Sequence, residues 1–147
     1  MHVDRARLLL AGLAMLIGCA SAPRAGDTES PSATGGLARI YYWRAKPGHL
    51  DDYNRYIREV AEPIDREAQR QGAFISVTTF LAQDTTSTWT HMRIFVVRDS
   101  AQLAGLGAAL DAAGARLEPD SAKRRVRGEY AVTLRDRVGD ATATILR

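Results

Sequence analysis

The sequence predicts an α+β domain in which strands and helices follow one another as strand, helix, strand, strand, helix, strand. Three observations indicate this order. Residues 89–97 alternate in side-chain character, as a half-buried strand does. Residues 50–71 carry an apolar stripe at three- and four-residue steps, which is typical of a surface helix. A second, weaker stripe follows after Asp99.

The first strand is predicted at residues 37–45, where aromatic and aliphatic side chains alternate. Pro47 and Gly48 then break the strand, because this pair favours a turn. The long helix over 50–71 contains Pro63, which should kink or restart it because proline has no backbone N–H to donate. Gly72 is expected to end the helix.

A hairpin is predicted next, with strands at 73–82 and 89–97 joined by a polar loop. In the second of these strands, Met92, Ile94 and Val96 form the more apolar face, and we expect this face to pack against the helices.

The second helix is expected to begin at Asp99 or Ser100 and to end at Gly114. Residues 116–127 hold a possible short helix after Pro119, and 129–137 are predicted to be the last strand. The tail after Val138 is expected either to add a short edge strand or to fray.

This order of elements is that of a ferredoxin-like fold: a four-stranded antiparallel sheet with two helices on one face. The first and third strands then lie in the centre of the sheet, and its other face is left open. Because so short a domain has nothing else to cover that face, we expect it to form a homodimer through it.

The layout resembles the dimeric α/β-barrel superfamily of ferredoxin-like proteins. The resemblance covers residues 37 to about 137 and rests on the aromatic first strand ending in Arg44-Ala45-Lys46-Pro47-Gly48, followed by a long helix with an interior proline. The superfamily includes cofactor-independent monooxygenases, haem-handling enzymes and muconolactone-type isomerases. No motif here allows a catalytic residue to be carried over, and no cofactor is predicted.

Side chains able to bind a ligand are predicted to gather on the open face. Tyr41, Trp43 and Trp89 could stack a small aromatic compound, while Arg93 or Arg39 could hold an anionic group. His91 is the candidate for proton transfer. The full predicted face is Arg39, Tyr41, Trp43, Ser76, Thr78, Phe80, Trp89, His91, Arg93, Glu129 and Arg135.

The same residue types are also enriched in protein interfaces. The alternative to a ligand-binding face is therefore a dimer contact, in which Arg93 pairs with Glu129.

Composition argues against several other classes of function. The net charge of +3 is spread along the chain, without the basic and aromatic stripe of a nucleic-acid-binding surface. Cys19 is the only cysteine, and no cluster has the spacing of metal ligands. The basic run at 123–127 is interpreted as a solvated face, with contact to anionic lipid headgroups as the alternative.

The N-terminus has the pattern of a secretory signal over residues 1–18, with Arg5 and Arg7 before an apolar stretch. The run Leu16-Ile17-Gly18-Cys19 resembles a bacterial lipobox, which implies a lipidated Cys19 as the mature N-terminus. Ala20 after the cysteine implies the outer membrane, with the protein facing the periplasm. The alternative is an ordinary signal peptide cleaved after Ala20 or Ala22.

Residues 19–36, which include the lipidated cysteine, are predicted to form a flexible linker to the domain at 37–147.

Two functional hypotheses follow from the sequence. The first is a lipid-anchored, dimeric binding or interaction protein without catalysis. The second is a cofactor-independent monooxygenase or isomerase acting on a small aromatic compound, which requires a cavity lined by His91.

Overall fold

The computed structural model describes residues 36–84 and 86–146. The predicted signal peptide, Cys19 and most of the linker lie outside these residues. Four strands form one antiparallel sheet: β1 (Leu37–Ala45), β2 (Ser76–Leu81), β3 (His91–Val97) and β4 (Arg135–Thr144). Their order across the sheet is β2-β3-β1-β4. The predicted ferredoxin-like fold, with the first and third strands in the centre, is therefore confirmed.

The long helix is built in three parts: α1 (Leu50–Tyr56), a π-helical segment (Ile57–Ala61) and α2 (Glu62–Arg70). Pro63 lies in the first turn of α2, where a missing N–H costs least. The sequence predicted a kink or a restart at Pro63; in the structure α2 follows directly on the wider π turn, and the joining residues Ala61 and Glu62 keep helical dihedral angles. Gly48 and Gly72, at the two ends, have φ values of +80° and +78°, which favour glycine.

The helix α3 spans Ser100–Leu117. Asp99 caps it, because its carboxylate accepts a hydrogen bond from the Gln102 amide at 2.8 Å. The prediction that Gly114 ends this helix was wrong. Gly114 is buried inside α3, and an added Cβ would lie 3.7 Å from Ile64 Cδ1. That distance is an ordinary van der Waals contact, and α3 continues past Gly114 to Leu117, so Gly114 does not act as a C-terminal cap.

The predicted last strand at 129–137 was also wrong. These residues belong mostly to a third helix, α4 (Ser121–Leu134), and the strand β4 begins only at Arg135. Asp120 caps α4 by accepting from the Ala122 and Lys123 amides. Ala131 and Leu134, three residues apart, are its buried positions. The spacing is helical, and the alternation of Tyr130, Val132 and Leu134 is incidental.

The hydrophobic core lies between the sheet and the helices and has two clusters. The larger one joins α2 and α3 to the strands, and the smaller one joins α1 and the end of α4 to β1. The buried members are Ala68, Phe74, Phe95, Val97, Leu106 and Ala113 in the first cluster, and Ala45, Tyr53, Ile57 and Leu134 in the second.

The two faces of β3 are the reverse of the prediction. His91, Arg93, Phe95 and Val97 are buried on the helix side, while Met92, Ile94 and Val96 are only half-buried. Phe95 and Val97 belong to the core cluster with Leu106. The prediction failed because both faces of β3 carry large apolar side chains, so hydrophobicity alone does not distinguish them.

Substitutions in α4 test whether the segment before β4 is a helix. Leu134 is 1% exposed and Val132 is 66% exposed, whereas a strand would place both on one face. We expect Leu134→Ala to lower the free energy of unfolding by about 2–5 kcal/mol. The matched Val132→Ala should change it by no more than about 0.5 kcal/mol. Urea denaturation measures both, and equal losses would contradict the helix.

Candidate functional site

The structure divides the five predicted ligand-binding residues between the two faces of the sheet. Tyr41 pairs with Arg93 and Trp43 with His91 across β1 and β3, so these four share one face, and that face is turned toward the helices. Trp89 lies just before β3, and its ring is 6.2 Å from that of Tyr42. Of these five residues, only Trp89 lies on the open face as predicted; the prediction was wrong for Tyr41, Trp43, His91 and Arg93.

His91 is enclosed by polar partners and is 2% exposed. Its Nε2 lies 2.8 Å from Asn54 Oδ1 on α1, and its Nδ1 lies 2.9 Å from the Thr90 hydroxyl. Asn54 Oδ1 can only accept, so the proton of His91 lies on Nε2. The Thr90 hydroxyl accepts from the Ala45 amide and has two acceptors in reach, His91 Nδ1 and the Trp43 carbonyl at 3.3 Å. His91 is then the neutral Nε2–H tautomer, and both ring nitrogens have a partner.

The surroundings of His91 keep it neutral. Burial, followed by the positive charges of Arg135 and Arg93, lowers its pKa to about 4. The edge-on ring of Tyr53 lies 4.4 Å away, between centroids. A histidine held in this way is a poor acceptor of protons near neutral pH.

Arg93 forms a buried ion pair with Asp65 on α2. Its Nε also donates to the Thr79 hydroxyl at 3.2 Å. Burial raises the pKa of Asp65, and the guanidinium of Arg93 opposes that rise. The predicted pair between Arg93 and Glu129 was wrong, because Glu129 lies on α4 and pairs with Arg125 at 3.0 Å.

Arg135 joins the same interior from β4, although the sequence predicted it on the open face. Its guanidinium lies 3.5 Å from the centre of the Trp43 ring, and it donates to the Tyr53 hydroxyl at 3.3 Å. Burial raises the pKa of Tyr53. Tyr53 lies on α1 and Arg135 on β4, and the alternation of side chains within a strand does not predict that these two residues meet.

We call His91, Asn54, Thr90, Arg93, Asp65 and Thr79 the helix-side polar cluster; its members His91, Arg93 and Asp65 are buried, and Thr79 at its edge is exposed. Its ion pair and hydrogen bonds connect β2 and β3 to α1 and α2. Asn54 and Asp65 were not predicted as site residues. In the sequence, each of them is only a polar residue beside the apolar stripe of a long helix, which is a weak indication of a site residue. Since the members bind one another, the cluster fixes the helices onto the sheet.

The open face of the sheet is largely apolar. Ile40 and Tyr42 on β1 lie beside Ile94 and Met92 on β3, and Gly139 and Ala141 on β4 flank them.

Ser76, Thr78 and Phe80 lie on this face as predicted, because they pair with Val96, Ile94 and Met92. Arg39 does not: it faces the helix side and pairs with Asp140.

Within the part of the chain that the structure describes, no group of three side chains is placed to hold a metal ion. Over the same residues, none of the helices has the length and apolarity needed to cross a membrane.

No known family model and no curated protein matches the chain. Solved structures share its fold. HapK from Hahella chejuensis has 11% sequence identity and a TM-score of 0.53, with 75% of this chain and 92% of that chain covered. A dimeric protein of unknown function and ferredoxin-like fold from Bacteroides fragilis has 10% identity and a TM-score of 0.52, with 76% and 97% covered. At such low identity the similarity is one of fold.

The low pKa of His91 predicts a pH-dependent stability. Between pH 6.5 and about 4 the unfolded chain binds a proton at His91 and the folded chain does not. Stability should therefore fall as the pH falls through this range, by up to about 3 kcal/mol from this residue.

Urea denaturation of wild type and His91→Gln at several pH values measures this contribution as the difference between the two profiles. Val132→Ala is the control, because it removes no titratable group and lies at an exposed position of α4, so its profile should run parallel to that of wild type. A His91→Gln profile parallel to that of wild type would show that His91 is not held neutral.

Proposed function

We propose that the chain is a lipid-anchored, homodimeric binding or interaction module without catalytic activity. The observation that carries this proposal is the apolar open face of the sheet. Met92, Ile94 and Val96 are only half-buried and belong to neither core cluster of the described residues. Phe80 on the adjacent strand is 43% exposed. Contiguous apolar surface of this kind is typical of an interaction site.

A second copy of this chain is the partner that fits the face best. The centre of the face carries aliphatic and aromatic side chains and no charge, as the core of a homodimer interface does. On the β4 side, the residues Gly139, Ala141 and Ala143 are small, which leaves room for larger side chains of a partner sheet. A two-fold axis would bring the same patch of both copies together. The Bacteroides fragilis protein of similar fold is described as dimeric.

The state of His91 supports a role without catalysis. The second hypothesis, a monooxygenase or isomerase, needs His91 to line a cavity at the open face. His91 instead contacts Asn54 and Tyr53 on α1 and is almost fully enclosed. A neutral, fully hydrogen-bonded imidazole in the core has a structural role, so we do not propose catalysis.

The membrane anchor rests on the sequence alone. The lipobox-like Leu16-Ile17-Gly18-Cys19 supports lipidation of Cys19. Several acyl chains on one residue would give stable anchoring, because each buried methylene contributes about 0.8 kcal/mol. We place the domain at the outer membrane, facing the periplasm, at the end of a flexible linker.

The dimer is tested by placing a charge in the centre of the open face. Ile94→Glu should weaken dimerisation by at least about 30-fold, because a carboxylate would be buried without a partner in the interface. Sedimentation equilibrium of the chain carrying Cys19→Ser measures the dissociation constant without the lipid.

The matched control is Val132→Glu, which adds the same carboxylate at an exposed position of α4. It should leave the dissociation constant within about twofold of that of the parent chain, as surface substitutions away from an interface do. A parent chain that remains monomeric at high concentration would overturn the proposed dimer.

Lipidation is tested by Cys19→Ser in a bacterial host. We expect the wild-type chain in the membrane fraction and the variant in the soluble fraction, because serine lacks the thiol that would be acylated. Fractionation followed by immunoblotting measures the distribution. If Cys19→Ser stays with the membranes, lipidation does not anchor the protein.

A further inference from the structure

We propose that a cleft between the long helix, α3 and α4 binds a small monocarboxylate with an apolar body. The cleft has a volume of about 310 Å³ and is lined by residues of all three helical segments. This volume is at the lower end of the range of small-molecule sites. The inference rests on the proposed role as a binding module, but it does not require the dimer.

The floor of the cleft is apolar. Val60 comes from the π-helical segment, Ile64 from α2 and Leu110 from α3. Since none of these three side chains has a polar atom, they can accept only the apolar part of a ligand. An aliphatic or aromatic body would displace water here, because the burial of apolar surface is favourable.

Gly128 keeps the cleft open. It lies inside α4, where glycine destabilises the helix relative to alanine. A Cβ added at Gly128 would have no heavy atom within 4 Å, so close packing does not require glycine there. Gly114 on the opposite wall differs, because a Cβ there would contact Ile64. A larger side chain at position 128 could therefore occupy the cleft without a backbone clash.

Arg124 supplies the positive charge for a carboxylate. Its Nη1 donates to the Glu118 and Pro119 carbonyls at 2.8 and 2.9 Å, which holds the half-buried side chain at the wall of the cleft. Among the described residues these are the only hydrogen bonds of the Arg124 side chain. The Nε and Nη2 edge of the guanidinium is thus available for a two-point contact with a carboxylate.

The other charges of the cleft favour a ligand with one negative charge. Arg127 is paired with Glu118 at 3.4 Å, so its charge is largely compensated. Asp111, exposed on α3, also lines the cleft and would repel a second carboxylate. A ligand with one carboxylate can pair with Arg124 without bringing a second negative charge near Asp111.

Isothermal titration calorimetry with decanoate tests the site, using the chain that carries Cys19→Ser. Decanoate should bind at least tenfold more tightly than 1-decanol and than decanedioate. Arg124→Gln should weaken decanoate binding at least tenfold, because it removes the guanidinium charge. Gly128→Leu should do the same by filling the cleft, without lowering the melting temperature.

Gly105→Leu is the matched control, because Gly105 is an exposed helix glycine on α3 that also has open space around its Cβ and does not line the cleft. It should bind decanoate as the parent chain does. Equal binding of decanoate and decanol, unchanged binding in Gly128→Leu, or no binding at all would overturn the proposal.

Backbone amide chemical shifts give a second readout if Gly128→Leu fails to fold. On addition of decanoate to the parent chain, the shifts should concentrate at Val60, Leu110 and Arg124. Shifts concentrated on Ile40 and Ile94 would place the ligand on the open sheet face and overturn the site. Because sedimentation measures the dimer independently, failure of the ligand site is distinguishable from failure of the proposed dimer.

Discussion

The register between β1 and β3 is the constraint on which the rest of the structure depends. It sets Trp43 opposite His91 and Tyr41 opposite Arg93, all on the helix side of the sheet. A slip of one residue would exchange the two faces of β3 and expose Phe95 and Val97. With this register the core receives two polar side chains as well as two apolar ones, and each polar side chain must find a partner there.

The helices supply those partners. Asn54 on α1 accepts from His91, and Asp65 on α2 pairs with Arg93. Removing water from a charge or an imidazole is costly, so these contacts act mainly by excluding other arrangements of the helices on the sheet. The same geometry explains why His91 is not poised for proton transfer: both of its ring nitrogens have hydrogen-bond partners, and its pKa is about 4.

Because the polar groups are turned inward, the opposite face of the sheet is left apolar. The proposed dimer follows from that face, and the proposed ligand cleft lies in the helical layer on the other side. The two sites therefore use separate surfaces, so a ligand in the cleft need not compete with a second copy. If Cys19 is lipidated as proposed, the linker predicted at residues 19–36 would let such a module reach partners near the membrane.

The sequence by itself determined the order of the first five elements, the central place of the first and third strands, an irregularity of the long helix at Pro63 and a helix cap at Asp99 or Ser100. Each depends on local chemistry: periodicity, a missing N–H or a capping carboxylate. It did not determine the last strand, since Arg135–Thr144 has few large apolar residues while Leu134 ends a helix. Only the tertiary structure decided which face of β3 is buried. Met92, Ile94 and Val96 are as apolar as a core requires, and the partners that make His91 and Arg93 acceptable inside are 37 and 28 residues away in the chain.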